Sequence, residues 1–430
     1  INRGRRFERG AGVQQPKHCD ERPHFRADDT EVGIVALFNA STPLEPATTI
    51  DTPIARYTYI ADRARDRHAR EAVFNSYDHY LSWYWEQRMA NIEIIDRVGK
   101  AGVERYYETQ LTGKHGSRMI MTDAPGTLLS GQKITGAKKG QPLKLTVDIR
   151  LQKAAVEAFR SRHVRGAAVF MTTNGDILAI TGSPTFSPDP GPDGMTPANW
   201  AAMAADPSHP LLNRAVSSNL PLGSVFKLVV ATAAIEEKAA GFNSSFYCPG
   251  YYSLPGRRSY PPKCYTSHGH IGFNDGIAQS CDVVFYILGQ KLGVTKIKKY
   301  AKMMGLGSKT GIDLPGESVG LVPDEYWKKH FGGGEKWNAG DTINLSIGQG
   351  NMQVTPMQVA RMVNVFASGG RLVTPHIAFI GEKTPAMLPL HADTLAFVRR
   401  GMRGAVLSGT CRGISDFPIP VAAKTGTAQT

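Results

Sequence analysis

Acyl transfer by a serine needs a hydroxyl held beside a base, and Ser and Lys three apart on a helix share one face. The chain holds two such tetrads, Ser130-Gly-Gln-Lys133 and Ser224-Val-Phe-Lys227. About one or two copies are expected by chance in a chain of this length, so the spacing alone decides nothing. Their surroundings separate them. Ser130 sits in a Gly- and Lys-rich connector with no helix pattern after it, and is expected in a solvated loop. Ser224 follows Pro221-Leu222-Gly223 and opens an apolar run to Ile235 that reads as a helix. A helix start leaves backbone N–H groups unpaired and suited to an oxyanion. Lys227, on an apolar first turn, is expected to be partly desolvated, which lowers a lysine pKa and lets it act as a base. A helix-capping serine beside a snorkelling lysine is the bland alternative, and spacing alone favours it.

Two further motifs reverse that balance. Ser280-Cys281-Asp282 precedes a helix pattern and supplies a second hydroxyl and a carboxylate. Lys424-Thr425-Gly426-Thr427 follows the strand-like run Val421–Ala423. Its lysine and threonine can hold a carboxylate, and its glycine lets a substrate approach the strand edge. Lys309-Thr310-Gly311 is a decoy: glycines before it and Asp313-Leu314-Pro315-Gly316 after it mark a loop. A separate cluster reads Cys248-x15-Cys264-x5-His270-x10-Cys281, with His268 a rival for the imidazole. Three thiolates and an imidazole suit tetrahedral zinc, and a filled shell makes such an ion structural. A Cys248–Cys264 disulfide, or ordinary buried thiols, are the competing readings. Cys19 and Cys411 are expected to be bystanders.

The elements that must position these groups are legible in part. The 430 residues allow two to four domains, and 41% apolar content supports a sizeable core. A net charge of +13 suits nucleic acid, an anionic membrane surface or an acidic polymer without choosing among them. Five cysteines exclude a disulfide scaffold. No run reaches the ~20 apolar residues of a membrane span, and residues 1–9 show no signal-peptide pattern. Residues 1–98 read poorly, apart from an aromatic, helix-like stretch over Arg63–Trp85. A short helix to Leu111 follows, then a polar connector over Gly113–Pro142, a strand at Leu143–Val147, and a helix at Ile149–Arg162 capped by Asp148. Ala167–Met171 and Ile177–Ile180 flank Asn174-Gly175 as a hairpin. Helices are expected at Leu228–Glu237, within Ile271–Leu292, at Lys296–Met304, and from Thr355-Pro356 to Ala367. Mixed elements without regular βαβ alternation make the main domain α+β.

Ser-x-x-Lys, Ser-x-Asp and Lys-Thr-Gly in that order resemble the class B penicillin-binding transpeptidases, and within them the cell-elongation branch, from about Gly99 to Thr430. Asn213-Arg214-Ala215, Thr310-Gly311-Ile312-Asp313-Leu314-Pro315-Gly316-Glu317 and Ile347-Gly348-Gln349-Gly350 add to the likeness, and Arg3-Gly4-Arg5 is similar to the entry of the family's pedestal domain. The resemblance implies an N-terminal β-rich pedestal, residues 1–142, and a transpeptidase domain, residues 143–430, with an antiparallel sheet flanked by helices. It implies that Ser224 is acylated, Lys227 is its base, and Ser280 relays a proton to the leaving D-alanine amine. Asp282 departs from the asparagine most relatives carry, and the elongation branch is similar to this chain in using aspartate. Lys424 and Thr425, with Gly426 and Thr427 beside them, are implied to bind the donor's terminal carboxylate, with the N–H groups of Ser224 and Thr427 as the oxyanion hole. It further implies a structural zinc on Cys248, Cys264, His270 and Cys281; the Gly269-His270 pair is more similar to relatives than His268. No cofactor is needed for the chemistry.

The implied reaction is D,D-transpeptidation of peptidoglycan stem peptides, trapped by β-lactams. The implied setting is a single-pass inner-membrane anchor with the catalytic domain in the periplasm, and a SEDS-family glycosyltransferase partner such as RodA within the elongation complex. Relatives carry two further strands and a helix after Lys-Thr-Gly, so a two-strand gap is expected beside the Ala167–Ile180 hairpin, leaving this literal chain unstable or inactive. A D,D-carboxypeptidase or serine β-lactamase, passing the acyl group to water, is the alternative enzyme. A non-catalytic penicillin-binding sensor or scaffold is the alternative without turnover. No helix-turn-helix or RNA-binding signature supports a nucleic-acid binder.

Overall fold

A computed structural model of the chain describes residues 34–39, 99–114, 116–122, 128–186, 196–254, 261–379 and 384–427. The strands are β1 (Ile34–Asn39), β2 (Ser117–Thr122), β3 (Leu128–Thr135), β4 (Gly166–Met171), β5 (Ile177–Ser183), β6 (Ser245–Cys248), β7 (Gly269–Gly272), β8 (Arg371–Leu372) and β9 (Ala386–Met387). Helices of eight residues or more are α1 (Ile149–Arg162), α2 (Pro197–Ala205), α3 (Lys227–Glu236), α4 (Asp282–Met303), α5 (Ala339–Ser346), α6 (Pro356–Ala367) and α7 (Ala392–Leu407). The architecture is the mixed α and β arrangement expected. None of the described helices is long and apolar enough to cross a membrane.

The β4–β5 hairpin turns at Asn174-Gly175 as read from the sequence, with Gly175 at φ +101°. It joins a three-stranded antiparallel sheet in the order β1-β4-β5. Here the structure departs from one expectation. The edge of β4 is not left open: β1 pairs along its whole length, Ile34 opposite Met171 and Asn39 opposite Gly166. This strand comes from the first 142 residues and pairs with the sheet of the second part. Helix α1 packs on β5, and α6 on β1 and β4. Asp148 caps α1 through the N–H groups of Arg150 and Leu151, and Thr355 caps α6 ahead of Pro356.

The second core surrounds α3. Every residue from Lys227 to Ala234 is buried, as befits a helix apolar on all sides and wrapped by others. It packs against α4, and α4 in turn against α5. Phe226, Phe285, Leu288, Ile297 and Phe366 lie wholly inside this cluster. The two helices expected before and after Val294 are both present within α4, parted at Gly293, whose φ +72° and ψ +163° are not helical.

Three other expectations are corrected. The polar connector over Gly113–Pro142 contains the β2–β3 hairpin, and Ser130 and Lys133 lie in β3, so the helical spacing that a Ser/Lys pair needs is absent there. Leu143–Val147 makes one isolated bridge, Leu145 to Ala378, instead of a strand. Val421–Thr427, read as a strand, forms no ladder with any described strand. The decoy Lys309–Gly311 is the loop it was read to be. The Arg63–Trp85 helix lies outside the described residues.

Asp313 ties the upstream segment to the main body. Its carboxylate is 5% exposed and accepts from the Ile377 and Ala378 N–H groups at 2.7 and 2.8 Å and from the Tyr107 hydroxyl at 2.8 Å. Tyr107→Phe should therefore cost about 1–2 kcal/mol, and Asp313→Ala about 3 kcal/mol or more, since the alanine strands two buried N–H donors. Denaturant unfolding curves of the two variants check the order.

Candidate active site

Gly223–Phe226 is a tight 3-10 turn leading directly into α3, and it carries Ser224. Gly223 has φ +60°, and a Cβ there would stand 2.6 Å from the Thr427 carbonyl oxygen. A glycine is required because two backbones touch at this point. Gly348, at φ +71°, accepts from the Gly223 N–H at 2.8 Å on the other side, and a Cβ on it would meet the Gly223 oxygen at 2.3 Å. The Ser224 turn is thus clamped between the Lys424–Thr427 segment and the Gly348 turn.

Lys227 is wholly buried. Its amine donates to the Ser280 carbonyl oxygen at 2.8 Å, the Ser280 hydroxyl at 3.2 Å and Asp282 Oδ1 at 2.6 Å. Those three acceptors match the three donors of an ammonium. The Phe285 ring lies 5.4 Å from the same nitrogen. Burial pushes the Lys227 pKa down, and the Asp282 carboxylate pulls it back up. No hydrogen bond joins Lys227 to the Ser224 hydroxyl; the sequence pairing places the two on neighbouring turns, and the resting amine turns to Ser280 and Asp282.

Ser280 sits in the left-handed region, φ +54°, uncommon for a serine, and is 6% exposed. Strain of this kind persists where the surroundings over-determine it. Here Gly276 accepts from the Cys281 N–H at 2.9 Å, and the Ser280 carbonyl turns to Lys227. Its hydroxyl also lies 2.8 Å from the Lys424 amine. Burial, then the charge of Lys227, push the Lys424 pKa down to about 7. One hydroxyl therefore bridges two amines. The Thr425 hydroxyl is directed to Thr410 Oγ1 at 2.8 Å, a residue the sequence reading missed. Only the fold brings the loop after α7 to this point, so no local pattern marks it.

The four positions named from the sequence for a metal are not the four the structure brings together. Cys248, Cys264, Cys281 and His268 place their ligand atoms within 4.8 Å of one another. His268 Nδ1 lies 3.5 Å from Cys248 Sγ and 3.6 Å from Cys264 Sγ. His270 is exposed on β7 opposite Tyr247, 5.1 Å from its ring, because the strand alternation that points Ile271 inward points His270 out. The edges of a ~2.3 Å Zn–S and ~2.0 Å Zn–N tetrahedron have about these lengths. His268 Nε2 meets the Tyr265 hydroxyl at 3.1 Å, the outer bond that orients a ligating imidazole. The donor set fits zinc. All four described cysteines are free, so no disulfide joins Cys248 to Cys264. The Asp282 N–H donates to Cys264 Sγ at 3.3 Å, and sharing the Cys281 proton lowers the Cys264 pKa. The cluster thereby sits at the N-terminus of α4, directly behind Ser280 and Asp282.

Residues 166–430 match the penicillin-binding protein transpeptidase domain, and residues 84–145 the penicillin-binding protein dimerisation domain. The peptidoglycan D,D-transpeptidase MrdA of Acinetobacter baumannii is 34% identical over 345 residues, covering 77% of this chain and 51% of that one. The chain spans about half the length of the curated relatives it matches. The crystal structure of Pseudomonas aeruginosa PBP2 in complex with WCK 5153 superposes with a TM-score of 0.67 at 30% identity, covering 77% of this chain and 73% of that one. Helicobacter pylori PBP2, in its complex with MreC, shares the fold at 24% identity and a TM-score of 0.71, covering 93% of this chain and 86% of that one.

Between about pH 7 and the ordinary lysine pKa near 10.5, the unfolded chain holds a proton on residue 424 that the folded chain lacks. This group therefore makes stability rise with pH across that window. Lys424→Met, which removes the buried charge, should raise the unfolding temperature more at about pH 6 than at about pH 10. Thermal scans at both values check the sign.

Proposed function

The chain belongs to the penicillin-binding protein transpeptidase family, and from that premise we propose that it is a serine D,D-transpeptidase that cross-links peptidoglycan stem peptides during cell elongation. The observation that carries the reading is the Ser280 hydroxyl held between the amines of Lys424 and of Lys227, the residue that directly follows the Ser224 turn. Burial lowers the Lys227 pKa and so favours its neutral amine; in that form it takes the proton of Ser224 Oγ as the oxygen attacks the carbonyl of the D-Ala-D-Ala bond. The proton travels by Ser280 to the departing D-alanine amine, leaving an ester on Ser224. An amine of a neighbouring stem peptide then attacks the ester and restores the serine. Protonated Lys424, with Thr425, holds the donor's carboxylate. The N–H groups of Ser224 and Thr427 receive the oxyanion. Asp282 keeps the Lys227 charge neutralised between turnovers, and its carboxylate in place of an asparagine places the chain with the elongation branch.

The match to a dimerisation domain upstream favours a transpeptidase over a small β-lactamase. Zinc, if bound, takes Cys248, Cys264, Cys281 and His268; all four positions are filled by protein, so it braces the loop and adds nothing to the acyl transfer. The setting that goes with this reading is the periplasmic face of an inner membrane, with a single-pass anchor, a SEDS glycosyltransferase such as RodA and other elongation proteins as partners. The relative solved with MreC supports an elongation-complex setting.

A fluorescent penicillin should form one stable adduct, mapped by mass spectrometry to Ser224, abolished in Ser224→Ala and retained in Ser130→Ala. An adduct elsewhere overturns the reading. Rapid release of hydrolysed penicillin points to a β-lactamase. An adduct without cross-linking of stem peptides points to a sensor.

Elemental analysis should find about one zinc per chain. His268→Ala should lower that content by about 10-fold or more in affinity, while His270→Ala leaves it unchanged.

A further inference from the structure

An oxyanion hole works only if its donors stand about 2.7–3.1 Å from where the charge develops. On the reading above, on which this inference rests, one donor is the Thr427 N–H. The position of that N–H depends on what holds the Lys424–Thr427 segment, and the described residues supply a direct hold on Thr427 itself. Gln349 Nε2 donates to the Thr427 carbonyl oxygen at 2.7 Å. Gln349 is 7% exposed, and its own N–H bonds the Asn344 oxygen at 2.9 Å, so it is fixed to the end of α5. The preceding residue, Gly348, accepts from the Gly223 N–H at 2.8 Å. Two consecutive residues of one turn therefore hold both sides of the hole: Gly348 the Ser224 turn, Gln349 the Thr427 segment.

We propose that Gln349 is a positioning residue of the oxyanion hole, its side-chain amide holding Thr427 so that the N–H groups of residues 224 and 427 converge on one point. The carbonyl it anchors and the N–H it aims belong to the two peptide units flanking the Thr427 Cα. Fixing one restricts rotation of the other. The contact between Gly223 and Thr427 limits how closely the segments approach, and Gln349 limits how far they separate. Removing the amide leaves the first limit and removes the second.

The test uses penicillin acylation of the full chain, with Gln349→Ala and the similar-sized Gln349→Met, which drops the donor and keeps the volume. The acylation rate constant should fall by ~10-fold or more, with the affinity of the initial non-covalent complex unchanged. The infrared stretch of the Ser224-bound ester carbonyl should shift to higher frequency, because a displaced donor polarises it less; a general loss of stability does not move that band. Wild-type rate and an unshifted carbonyl in Gln349→Met overturn this inference while leaving the transpeptidase reading intact. Failure of the wild-type chain to form any Ser224 adduct overturns both.

Discussion

A lysine ammonium buried at the start of a fully enclosed helix is the constraint on which the site depends. Lys227 is shut off from bulk solvent, so its charge requires Asp282 and both oxygens of Ser280. Removing one partner of a buried pair leaves the other uncompensated, at about 3–5 kcal/mol. This requirement holds Ser280 in its left-handed conformation and draws the first turn of α4 against the first turn of α3. The residue proposed as base is thus also the bolt between two helices.

The thiol cluster acts on the same junction from behind. Cys281 separates the two residues that Lys227 grips, and Cys264 accepts from the Asp282 N–H. Tyr265 bonds both His268 and the carbonyl oxygen of Gln279, the residue before Ser280. The loop that carries Ser280 is fixed from the front by an amine and from the rear by sulfur and imidazole. A loop so held can keep its hydroxyl between two amines whose pKa values burial has lowered.

On the other side, glycines set the tolerance. Gly223 and Gly348 let three backbone segments meet at distances that a Cβ would forbid. These contacts, with the Gln349 amide on the Thr427 carbonyl oxygen, fix the height of the Lys424–Thr427 segment above its neighbours.

The sequence by itself determined which functional groups belong together and much of the local structure. Ser224 with Lys227, Ser280 with Asp282, and Lys424 with Thr425 were legible as a set because each motif pairs particular functional groups at fixed spacing, and the Asp148 and Thr355-Pro356 caps because capping is local. Tertiary structure alone decided the rest. His268 lies in the loop before β7 and His270 within the strand, with Gly269 at φ +62° between them, and only the fold of that loop shows which of the two faces the thiols. Leu128–Thr135 reads as a polar connector because its strand character comes from its partner across the hairpin. The strand at Ile34–Asn39 was missed because what it completes lies more than a hundred residues away. Thr410 and Gln349 acquire their roles from contacts made at long range, and long-range contact leaves no period in a sequence.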